Sequence, residues 1–67
     1  MNPVADLPTV ETLAEEVRGL VYERQTLRAI GAAPEEIERN RLELVRVQQE
    51  LVQALIRRHL RASRSAA

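Results

Sequence analysis

The stretch Ile30-Gly31-Ala32-Ala33-Pro34-Glu35-Glu36 is the clearest break in this chain of 67 residues, and it limits what the chain can fold into. Glycine readily adopts the left-handed conformation that ends a helix. Proline fits the first turn of a following helix, and the two glutamates suit that helix's positive end. Apolar residues recur at helical spacing on both sides of the break. One helix therefore stops here and another starts after a short connection. Short connections between helices make antiparallel neighbours. The expected fold class is all-α: an antiparallel helical hairpin of two long helices.

The first helix is expected over about 9–30, the turn over 31–33 and the second helix over about 34–61. Val10, Leu13, Val17, Leu20, Arg24 and Leu27 alternate at spacings of three and four, a heptad seam with one charged interruption. Ala14 and Val21 widen that stripe. Thr9 is the expected N-cap, with Asp6 as its competitor. Gly19 marks either a close helix approach or a tolerated cost of up to about 1 kcal/mol against alanine. Residues 1–8 hold two prolines and no period, so they read as an extended leader. Residues 63–67 are small, polar and basic, and read as a disordered tail.

The second helix has a wider apolar arc: Ile37, Leu44, Val45, Leu51, Val52, Leu55 and Ile56. Arg41, Gln48 and His59 fall along the middle of it. Folding at Ala32-Ala33 pairs residues whose numbers sum to about 65. The expected layers are Leu27 with Ile37, Leu20 with Leu44 and Val45, Val17 with Gln48, Leu13 with Leu51 and Val52, and Val10 with Leu55. Gln48 would then be a buried amide that fixes register. One helix cannot cover the whole arc. Val45, Val52 and Ile56 would stay partly wet in a monomer, which favours a homodimer closing into a four-helix bundle. The alternative is that another protein docks on the same face.

Composition removes several function classes. There is no cysteine, so no disulfide, and a lone histidine leaves no zinc set. The residue three before His59 is Ile56, so the Glu-x-x-His pair of di-iron bundles is missing. No phosphate-cradling glycine loop or nucleophile elbow is present. The expectation is a non-enzymatic regulator, adaptor or assembly element with no catalytic residue, metal or cofactor. No apolar run approaches the roughly 18 residues of a membrane span. The first residues lack the pattern of a signal peptide, so a cytoplasmic protein is the default expectation.

Ten arginines balance ten acids, with no lysine, so no global charge favours nucleic acid. The charge is polarised, however. Residues 1–33 and 34–56 each carry three arginines against five acids, and residues 57–67 carry four arginines alone. Arg57, Arg58 and Arg61 are therefore the candidate nucleic-acid contacts, a minor expectation. Arg24 and Arg41 fall in one layer of the hairpin and form a candidate anion site, since paired guanidiniums suit phosphate or carboxylate.

The overall form resembles the RsiG-type anti-sigma factors. Those are antiparallel coiled coils that bind a cyclic dinucleotide through a helical Glu-x3-Ser-x2-Arg-x3-Gln-x3-Asp motif. The matching stretch includes "VYERQTLRAIGA", and Arg24 falls on the motif's arginine. Val17, Val21, Arg28 and Ala32 stand where Glu, Ser, Gln and Asp would be. The resemblance covers one helix and implies an anti-sigma or adaptor role; the alternative function is a regulator responsive to an anionic small ligand or nucleotide through the Arg24/Arg41 layer.

Overall fold

The computed structural model describes residues 9–66. They form two α-helices packed against each other, α1 (Val10–Ala29) and α2 (Pro34–Ala66), with no strand among the described residues. The expected leader over residues 1–8 lies outside the described residues.

Each helix boundary has a local cause. Thr9 is extended, and its Oγ1 accepts from the Thr12 N–H at 3.1 Å, which satisfies one orphan donor of the first turn. At the other end Gly31 sits at φ +66°, the only positive φ among the described residues. The Ala32 N–H donates to the Leu27 carbonyl at 2.9 Å and the Gly31 N–H to that of Arg28 at 3.2 Å. This is a Schellman closure, and it needs a residue that tolerates the left-handed region. Pro34 then opens α2, where its missing N–H costs nothing. The second helix continues to Ala66, past the expected end near Arg61, so the segment expected to be disordered from residue 63 is helical through Ala66. Nothing between Arg61 and Ala66 breaks a helix. Alanine and arginine are good helix formers, and Arg64 complements the negative end of the macrodipole.

The core is small. Leu13, Leu44, Val47 and Ala54 are buried, and Val10, Val17, Leu20 and Leu51 pack partly buried against the cluster of Leu13, Val47 and Ala54. The face that α2 turns to α1 is therefore Ile37, Asn40, Leu44, Val47, Leu51 and Ala54, again at spacings of three and four. This corrects the expected layers. Gln48 does not lie inside opposite Val17, nor Leu55 opposite Val10. Val45, Gln48, Val52, Leu55 and Ile56 are all exposed.

Desolvation explains the choice. The row Ile37, Leu44, Leu51 is common to both arrangements. Beside it run two rows, either of which could complete the seam: Asn40, Val47, Ala54 on one side, and Arg41, Gln48, Leu55 on the other. The second would bury a guanidinium and an amide; the first buries only an amide. Burying a charge costs far more than burying an amide, even one like Asn40 whose Nδ2 is bonded and whose buried Oδ1 has no partner. Asn40 is 3% exposed and donates from Nδ2 to the Leu20 carbonyl across the interface at 3.1 Å. It takes the role expected of Gln48, a polar group that fixes register between the helices.

The molecule is long and thin, 52 × 28 × 15 Å, with a radius of gyration of 15.7 Å. A compact chain of this length would have about 11 Å. Gly19 has open space where a Cβ would stand, so within the hairpin it marks no close approach. Gly19→Ala is accordingly expected to raise stability by up to about 1 kcal/mol through helix propensity, read as a higher melting temperature by circular dichroism.

Candidate interaction surface

The choice of the inner row decides what is left outside. On α2 the residues Arg41, Val45, Gln48, Val52, Leu55 and His59 follow one another at spacings of four and three. This is a second heptad seam, turned roughly a quarter of the way round the helix from the first. All six are exposed. Val45 is 40% exposed, Leu55 46%, Ile56 53% and Val52 54%. Leu42 and Ile56 border the seam on its outer side and are exposed too.

The two flanks of the hairpin differ in chemistry. On one, Glu23, Glu36 and Glu43 with Arg39 surround a shallow groove reaching down to Leu20, Leu27 and Asn40. Each glutamate immediately precedes an inner-seam residue. The residues that immediately follow the inner positions therefore share the opposite flank. Its apolar part is Ala14 and Val21 on α1 with Val45, Val52 and Leu55 on α2, and Glu11, Arg18, Arg28, Glu38 and Arg41 lie on it towards the two ends and along α1. One flank is thus rich in carboxylates, and the other carries exposed valine, leucine and isoleucine.

Ion pairs occupy much of the remaining surface. Arg41 donates from Nε and Nη2 to both carboxylate oxygens of Glu38, at 2.6–3.1 Å. That hydrogen bonding holds the Glu38 carboxyl below its ordinary range and raises the Arg41 guanidinium above its own. Arg46 bridges Glu43 and Glu50 on the same helix, and Glu43 is lowered in the same way. At the open end of the hairpin Arg58 reaches across to Glu11, with Nη2 at 2.9 and 3.0 Å from its two oxygens. The hydrogen bond from Arg58 is the main cause of a lowered Glu11 pKa. A carboxyl held low in the folded state stabilises the fold above its unfolded value of about 4.5. That contribution disappears as pH falls through the lower folded value.

The sequence-derived candidates separate accordingly. Arg24 lies half-buried on the inner seam, its Nε buried and without a hydrogen-bond partner. Arg41 is exposed and engaged by Glu38. The two arginines thus face different surroundings, one in the seam and one on the apolar flank. Of the basic trio, Arg58 is tied to Glu11, whereas Arg57 and Arg61 border a shallow surface depression with Leu60 and Arg64. The buried polar residue that sequence reasoning passed over is Asn40. Its signal was present in the unbroken three-and-four spacing from Ile37 to Ala54.

Among the described residues no cluster of His, Asp or Glu is placed to hold a metal ion, and no helix is long and apolar enough to cross a membrane. What the geometry does offer is a rigid helix face with an unfilled heptad seam. Comparison with protein-family models, with curated proteins and with solved structures finds no match to this chain.

Proposed function

We propose that this hairpin is a non-enzymatic protein-interaction module that works as a homodimer, two copies closing their apolar flanks into a four-helix bundle. A regulatory, adaptor or assembly role would rest on that bundle. The observation that carries the reading is the second seam of α2. It has the spacing of a packing surface and the residues of one, and α1 does not cover it. Two packing seams about a quarter-turn apart are what a helix in a four-helix bundle requires. Fully burying a valine, leucine or isoleucine side chain contributes roughly 1.5–3 kcal/mol. With four apolar side chains buried among the described residues, a hairpin this small gains greatly from burying several more.

The test is thermal unfolding across a hundredfold range of protein concentration. For a dimer whose folding and association are coupled, each tenfold increase adds about 1.4 kcal/mol, or roughly 5 °C for an assembly of two such chains. A melting temperature independent of concentration would contradict the reading.

A further inference from the structure

Resting on the dimer proposed above, we infer that the second copy pairs through α2 in antiparallel orientation, about a two-fold axis that crosses the second seam at the level of residue 50, between Gln48 and Val52. Three independent features of the chain converge on this register.

The first is the seam itself. Antiparallel pairing about Glu50 sets Val45 against the partner's Leu55 and Gln48 against the partner's Val52. Arg41 falls against the partner's His59 at each end, and Leu42 borders the partner's Ile56. Val45 and Leu55 meet on either side of a central Gln48–Val52 pair, and Arg41 and His59 lie at the rims. Parallel pairing would instead set each residue against its own copy and stack Arg41 on Arg41.

The second is charge. Residues 34–43 carry Glu35, Glu36, Glu38 and Glu43 against Arg39 and Arg41, whereas residues 57–66 carry four arginines and no acid. Antiparallel pairing lays the basic end of each helix beside the acidic end of the other. It also opposes the two helix dipoles. Parallel pairing brings like ends together on both counts.

The third is length. α1 begins at Val10, which packs on the cluster containing Ala54. Residues 55–66 of α2 therefore run on past the first helix by about 18 Å at 1.5 Å per residue. In the proposed register Pro34 lies beside the partner's Ala66. The two long helices overlap end to end, and the overhang of each lies along the first turns of the other.

The absence of cysteine makes the register measurable by disulfide formation. Val45→Cys and Leu55→Cys chains, one of them lengthened by a tag, are mixed, unfolded in urea, refolded together and oxidised. The expected product is the mixed disulfide, with little homodimeric disulfide from either chain alone. In this register Val45 lies about 15 Å along the helix from its own copy, and so does Leu55, too far to bridge. Arg41→Cys with His59→Cys, each about 27 Å along the helix from its own copy, repeats the reading at the rims, should one of the first pair fold poorly. Homodisulfides from single variants would overturn the orientation while leaving the dimer standing. A dimeric mass with no disulfide in either pair would show that α2 does not meet its copy. A monomeric mass would remove the dimer and this inference with it.

Discussion

Leu13→Ala is expected to cost about 2–5 kcal/mol, enough to unfold most of the protein at room temperature. Leu13 is 2% exposed and belongs to the cluster with Val47 and Ala54 that holds the two helices together. Truncation removes its transfer free energy and leaves a void that two helices with so few buried residues cannot refill. The helices lose their mutual support together, because isolated helices of this composition are marginal in water. Urea titration followed by circular dichroism measures the loss. Tyr22→Ala is the control. Tyr22 is 73% exposed, and its removal should shift stability by no more than about 0.5 kcal/mol. Equal effects at the two positions would contradict the packing described.

Val52→Glu is expected to separate the two copies. Val52 lies next to the axis of the proposed bundle, so a two-fold assembly would bury two carboxylates facing Gln48 on either side. Burying an unpaired charge costs several kcal/mol, which corresponds to at least a hundredfold weaker association. In the hairpin itself Val52 is on the outer flank, 54% exposed, and is not one of the buried residues. The variant should therefore keep its helical ultraviolet signature at high concentration while sedimenting as a monomer. Gln53→Glu introduces the same charge one residue along, off the second seam, and should leave the association unchanged. If both variants associate like the parent, the second seam is not the interface.

How far the sequence alone leads can be judged from particular residues. Gly31 and Pro34 carry the hairpin by themselves, because one supplies a left-handed turn and the other a helix start. The inner face of α1 is equally legible, since Val10, Leu13, Val17, Leu20 and Leu27 leave one apolar stripe to choose. The second helix is harder because it has two stripes sharing Ile37, Leu44 and Leu51. Counting apolar bulk favours Leu55 and Ile56 and passes over Asn40 and Ala54. Counting the polar groups each choice would bury gives the opposite and correct result. Asn40 can satisfy its Nδ2 on the Leu20 carbonyl, but Arg41 has no comparable inner partner and turns to Glu38 on the surface. The same comparison explains why Gln48 is exposed. It belongs to the outer seam, midway along it, where its amide can still fix register between copies.

The far end of α2 was misread for another reason. Small polar residues suggest disorder when no tertiary contact supports them, and α1 supplies none there. The helix is continuous to Ala66, and the antiparallel pairing proposed above would use that whole length.

The most direct test of the account is the solution mass of the unmodified chain, measured by light scattering on a dilution series. The chain mass is 7.6 kDa. The account predicts about twice that value at high concentration, falling toward the single-chain mass on dilution. A folded, fully helical species of single-chain mass at every concentration would contradict it.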